Sequence, residues 1–211
     1  ISREARESNS LGIAKRESGD IATARALIER SLELARSIGD RGREATALTN
    51  MVHMFMDVGD YPAAVEAARR AVAADQAQGD PWGVAINQSN LVSALLNADG
   101  PQRALAELSD VAEKVVAVGD LELSIDVIES FSAIWAALGD GRRAARLLGA
   151  ADRQRDIAGI PRAATDQRHL DRFLAPARQA MPDHEWRSIQ DSGRILDIPA
   201  ALAEGLSDKQ V

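Results

Sequence analysis

The chain has 211 residues, of which 45% are hydrophobic, 27% charged and 3% aromatic. That apolar content exceeds what a disordered chain carries, and so few rings cannot make a stacking platform for single-stranded nucleic acid; the core must be Ala, Leu, Val and Ile. A net charge of −7 opposes binding to a phosphate backbone, and zero Cys excludes disulfides, thiolate zinc sites and thiol nucleophiles.

Turn signals set the elements. Gly-Asp stands at Gly19-Asp20, Gly39-Asp40, Gly59-Asp60, Gly79-Asp80, Gly119-Asp120 and Gly139-Asp140, and the inverted pair Asp99-Gly100 fills the missing beat. Gly supplies the left-handed residue that closes a helix, and Asp accepts from the free N–H groups of the next. Pro62, Pro81, Pro101 and Pro161 each follow a turn and are expected in a first helical turn. Between the signals apolar residues recur three and four apart, as in Leu27, Ile28, Leu32, Leu34 and Ala35, and nothing alternates with period two. The prediction is all-α, with eight helices of roughly 16–18 residues over 1–158.

These helices pair into 40-residue units: 1–20/21–40, 41–60/61–80, 81–100/101–120 and 121–140/141–158. Aligned on Gly19, Gly59, Asp99 and Gly139, one column reads Ser10, Asn50, Asn90, Ser130 and the next Leu11, Met51, Leu91, Phe131. Another reads Lys15, Phe55, Leu95, Trp135. Small residues recur at Ala24, Ala64, Ala104, Ala144 and at Ser31, Ala71, Val111, Ala151, where helices must cross closely.

After Gly139 the rhythm changes. A helix is predicted from about Ala163, with Pro176 kinking or ending it. Met181-Pro182-Asp183 opens a short helix carrying Trp186, which Gly193-Arg194 closes. Asp197 and Pro199 start a last helix through Leu206, and 207–211 are expected to fray. The segment 159–206 reads as a cap over the exposed end of a helical stack.

The Leu11-Gly12 step, Gly59-Asp60-Tyr61 and the paired Ala64 and Ala71 resemble the tetratricopeptide repeat. The resemblance implies a right-handed α-solenoid of four helical hairpins with a C-terminal cap, in units longer than the family's usual 34 residues. The tail, from Ala145-Arg146-Leu147-Leu148-Gly149-Ala150-Ala151 through Leu170, Leu174, Arg178, Trp186, Gly193, Arg194, Leu196 and Ala200, Leu202, Ala203, Leu206, is similar to the end of large actinobacterial LuxR- and SARP-type regulators. Those are signal-transduction ATPases that finish in such arms. With Ile1 falling inside a helical pattern, the chain reads as a piece of a longer protein, and no signal peptide or membrane span is visible.

No catalytic constellation emerges: there is no phosphate loop, GxGxxG, GxSxG or HExxH. His53, His169 and His184 are scattered, so no metal site or cofactor is expected. Asp126 and Glu129 could be an acid/base pair, but a solvated acidic stripe is preferred. Phe131 and Trp135 read as core, Trp186 as a cap anchor, and Trp82 as the cover of a seam rather than a partner contact. Residues 141–172 hold eight Arg against four Asp. Either this patch docks on an acidic neighbour or a phosphate, or its Arg pair with Asp at short spacings; the second reading is favoured.

Stacked hairpins of the resembled type line a concave groove with their first helices. The expected lining is Arg6, Asn9, Ile13 and Arg16; Thr46, Thr49, His53 and Met56; Ile86, Ser89, Ser93 and Asn97; and Asp126, Glu129 and Ala133. Some tetratricopeptide domains clamp a C-terminal carboxylate with Lys and Asn. Here those places hold Thr49, Asn50, His53 and Ser89, Asn90, Ser93 without the Lys, which argues against such a clamp. Asn50 and Asn90 have a structural reading instead, as inward amides bonding a neighbouring turn.

The functional expectation is a non-enzymatic, cytoplasmic interaction or sensor arm of a larger regulator, most simply a transcriptional one. Its partner would be a protein, a peptide or other domains of the same parent chain, with a small-molecule effector open and no nucleic acid or membrane contact. The alternative is a self-association module.

Overall fold

A computed structural model describes residues 1–207, the side chains of residues 164 and 165 excepted. The expected fraying of 207–211 therefore lies, beyond Ser207, outside the described residues. The chain is all-α: among the described residues there are eleven helices and no strand. They are α1 (Ser2–Glu17), α2 (Ile21–Ser37), α3 (Arg41–Val58), α4 (Tyr61–Gln78), α5 (Pro81–Ala98), α6 (Pro101–Val118), α7 (Leu121–Ala137), α8 (Gly141–Ala158), α9 (Ala164–Gln179), α10 (Asp183–Gly193) and α11 (Ile198–Leu206). None of the described helices is long and apolar enough to cross a membrane.

The Gly-Asp beat works at both helix ends. At Gly59, φ is +76°, and the next backbone N–H, of Asp60, reaches back to the Phe55 carbonyl at 2.9 Å. The Asp60 carboxylate then accepts from the Ala63 N–H and caps α4. Asp20, Asp40, Asp80, Asp120 and Asp140 cap in the same way. At the inverted pair the cap of α6 is Gly100, with no side chain to accept. Gly is only about a few tenths of a kcal/mol poorer than Asp there, and Pro101 has no N–H to leave unpaired, so the inversion is tolerated.

The small columns are packed solid. Ala24, Ala64, Ala104 and Ala144 are each 0% exposed. Ser31 uses its buried hydroxyl to donate to the Ala5 carbonyl across α1 and α2. Gly12 of the Leu-Gly step faces Ile28 so closely that a Cβ would lie 2.7 Å from its Cγ1.

The chain forms two compact units, Ile1–Ala98 and Asp99–Val211. In the first, α1, α3 and α5 lie side by side in one layer and α2 and α4 form the other. Met51, Phe55, Leu91 and Leu95 fill the space between. Trp82, expected to cover a seam, is 50% exposed on the first turn of α5, where its backbone N–H donates to the Asp80 carboxylate.

In the second unit α7 packs between α6 and α8, and the three tail helices close over α7 and α8. Gly149 of α8 and Gly193 of α10 let the two backbones touch: a Cβ on either would run into a carbonyl of the opposite helix, Gln190 or Arg146. With α10 seated against α8, α9 lies along α7. Trp186 is 2% exposed, and the Trp135 indole donates to the Gly205 carbonyl at 2.9 Å, so α11 is pinned over Phe131 and Trp135.

Two proline expectations are corrected. Pro161 lies in the connection before α9 and not in a helical turn. Pro176 does not end α9, which continues to Gln179, and its carbonyl still accepts from Ala180.

Candidate functional site

In the first unit the predicted lining residues share the face of α1, α3 and α5, and none is fully buried. Arg6 and Thr46 are exposed, while Asn9, Ile13, Arg16, Thr49, His53, Met56, Ile86, Ser89, Ser93 and Asn97 are half-buried. Bonds between neighbouring helices hold this face. Asn50 donates to Asn9 at 3.0 Å and Arg16 to Asp57 at 3.0 Å, joining α1 to α3. The Thr49 hydroxyl lies 2.8 Å from Asn87 Oδ1 and 2.9 Å from its own helix's Ala45 carbonyl, so it ties α3 to α5. Thus Asn50 bonds a neighbouring helix rather than a turn, and Asn90 reaches Asn87 one turn back. Ser89 has a buried hydroxyl oxygen without a hydrogen-bond partner.

Behind the face runs a polar chain that sequence reading missed. Asn87, 3% exposed, donates to Asp75 Oδ2 at 2.7 Å, and Asp75 is itself only 4% exposed in α4. Burial pushes the Asp75 carboxyl above its ordinary range; Asn87 counters that by favouring the charged form, and Asp80 adds to it. The absent side chain of Gly83 makes room for this carboxyl. The repeat alignment held the signal: Asp75 falls in the column of Ala35 and Val115, and Asn87 in that of Ala47 and Val127.

The same column marks Arg155 in the second unit, 7% exposed and the centre of a second network. Its guanidinium donates to Glu129 through Nε at 2.6 Å and Nη2 at 3.1 Å, and to Asp126 at 2.7 Å. Arg162 reaches Glu129 at 2.7 Å and Asp152 at 2.8 Å. Gln190 of α10 donates to the other oxygen of Asp152, and Arg194 pairs with Asp156. Burial, with the nearby Glu129 charge, pushes the Asp126 carboxyl up to about 6 against the opposing pull of Arg155.

This corrects the reading of α7. Glu129 and Ala133, placed on an open groove, are 7% and 3% exposed because α9 and its connection cover them. Asp126 keeps partial exposure but is engaged by Arg155. The pair is not a solvated stripe, since guanidiniums hold both carboxylates. Several arginines of the Arg-rich stretch are likewise engaged inside the unit, Arg143 with Asp140 at the expected short spacing and others across elements. Arg142 pairs with Glu185 and Arg146 with Glu204, while Arg143 stacks 4.0 Å over the Trp135 ring. Between Gly159 and Arg194 lies an open depression of about 580 Å³, lined also by Asp152, Arg155, Asp156 and Arg162. Carboxylates answer each guanidinium there, so it has no surplus positive charge for a phosphate.

Of the histidines, His53 is half-buried on the open face and His184 is exposed in α10. His169 stacks edge-on to Phe173 in α9, where burial holds its pKa below the ordinary value. They are on three different helices, and among the described residues no three metal-ligating side chains gather.

Residues 5–77, which span most of α1–α4, match the tetratricopeptide repeat family. No curated protein matches the chain.

Proposed function

We propose that the chain is a non-enzymatic protein-interaction module that takes a partner segment along the α1–α3–α5 face of its first unit. The carrying observation is the state of that face. Its side chains are neither buried nor loose, and Asn9–Asn50, Arg16–Asp57 and Thr49–Asn87 fix it before any partner arrives. A preformed surface loses less side-chain freedom on binding, which leaves more of the contact energy as affinity. The lining alternates Ile13, Met56 and Ile86 with hydroxyls and amides, so it suits an extended peptide offering both apolar side chains and backbone polar groups.

The wider role is a sensor arm of a cytoplasmic regulator, with binding at this face biasing an ATPase or DNA-binding unit elsewhere in the parent chain. The ordered tail similarity supports it, and the Gly149–Gly193 contact gives two of the shared positions a physical role. Such bias requires two states with different partner affinity. A self-association module is the second reading, and a strict monomer by light scattering across concentrations removes it.

The test is selection of peptides from a display library, followed by titration against variants. Thr46→Arg, His53→Glu and Ser93→Arg on the face should each weaken the selected peptide about tenfold or more, while Arg69→Glu on exposed α4 leaves it unchanged. Equal loss from Arg69→Glu, or no loss from the face variants, refutes the assignment.

A further inference from the structure

In the second unit, the face that the repeat would leave open is occupied by the chain's own α9. Asp126, Glu129, Ala133 and Ala136 of α7 align with Thr46, Thr49, His53 and Met56 of α3. On α3 these positions are half-buried or exposed; on α7 the last three are 7%, 3% and 8% exposed. Alanines stand where α3 has His and Met, which leaves the width a packed helix needs.

The chemistry of the occupancy is specific. Arg162, just ahead of α9, inserts between Glu129 and Asp152. Leu170 and Leu174, one turn apart, are each 4% exposed, and Ala177 packs on Gly141 at the far end. Three carboxylates, Asp126, Glu129 and Asp152, share the guanidiniums of Arg155 and Arg162, so among these ion pairs removal of Arg162 leaves three carboxylates to one guanidinium. It is built to receive a cation followed by an apolar helix stripe.

At its two ends α9 lacks local supports. Its N-cap Ala163 provides no side-chain acceptor, and Pro176 removes one of its internal bonds. The connection 159–163 begins at Gly159 with φ of +68° and carries Pro161, so it offers a pivot. By contrast α10 is locked to α8 through backbone contact at Gly149 and Gly193.

We propose that the inner face of α7 with Asp152 is a second docking surface, for an amphipathic helix bearing an arginine ahead of two leucines four residues apart, and that α9 is its displaceable resident. The inference does not require peptide binding at the first-unit face, so failure of one leaves the other standing. Segment 159–180 is a regulatory plug: a partner presenting the same stripe competes with it, and displacement frees the connection to α10.

The probe is a labelled synthetic peptide of residues 159–180 added to the whole chain. Leu170→Asp with Leu174→Asp should release α9, so this variant binds the peptide while the unaltered chain binds it about tenfold more weakly or not at all. A peptide carrying Arg162→Gln should lose about tenfold in affinity for the released variant. Amide exchange on the unaltered chain is the second measurement, and α9 should open faster than α7, α8 and α10. Equal peptide binding by both chains, no binding by a folded released variant, or collapse of that variant's whole second unit overturns the proposal. So does exchange in α9 as slow as in α8.

Discussion

Replacing Arg155 by Met keeps the buried volume and removes the charge that two carboxylates depend on. Glu129 would keep Arg162 on Oε1 but lose both Arg155 donors, to Oε1 and Oε2, and Asp126 would lose its guanidinium. Breaking a buried pair by removing one partner costs about 3–5 kcal/mol. The surviving Arg162 contact and the partial exposure of Asp126 place this case at the lower end, about 3 kcal/mol at neutral pH. For a chain of this size that is a fall in Tm of roughly 6–12 °C. The loss must depend on pH with a definite sign. The Asp126 carboxyl, already raised to about 6 against the pull of Arg155, holds its proton more tightly still without that guanidinium, so the variant's stability falls further as pH rises through that range. Its deficit against the unaltered protein should therefore be largest near pH 7 and shrink near pH 5, as read by urea melts across that range. A loss below about 1 kcal/mol, or one equal at both pH values, would refute the buried-hub account.

Three further outcomes follow from the same geometry. Asp126→Asn should leave stability at pH 7 unchanged or raised: the raised carboxyl favours folding below its unfolded pKa of 3.8, and that contribution is lost as pH rises through about 6. Melts of this variant should accordingly lose the decline between those values. Gly193→Ala should drive α10 off the Arg146 carbonyl and destabilise the second unit by about 2 kcal/mol or more, seen as a lower Tm with weakened burial of Trp186 fluorescence. Ala64→Leu and Ala104→Leu overpack helix crossings and should each lose about 1–3 kcal/mol; neutrality at both would contradict the 40-residue alignment.

Helices α1–α8 were legible because local chemistry fixes their ends. Each Gly-Asp pair closes one helix and caps the next without help from distant residues, and the buried alanines repeat in register. The tail was less legible because its arrangement is set by two glycines 44 positions apart, Gly149 and Gly193, whose backbone contact no periodicity announces. Once α10 takes the place against α8, α9 falls on α7, and Glu129 and Ala133 leave the open face. The polar hubs were hidden for another reason. Asp75 and Arg155 share a column with Ala35 and Val115, and Asn87 one with Glu7, Ala47 and Val127, and a polar group in such a column reads as surface until its partner is found. Helix α9 outlasts Pro176 because the missing bond falls so near its end.

Site-specific photo-crosslinking tests the central assignment most directly. A benzophenone side chain placed at His53 and, separately, at Arg69 is irradiated in the presence of a selected peptide. The account predicts a covalent adduct from position 53, on the α3 face, and none from position 69, on exposed α4. An adduct from position 69 with none from 53 would contradict it.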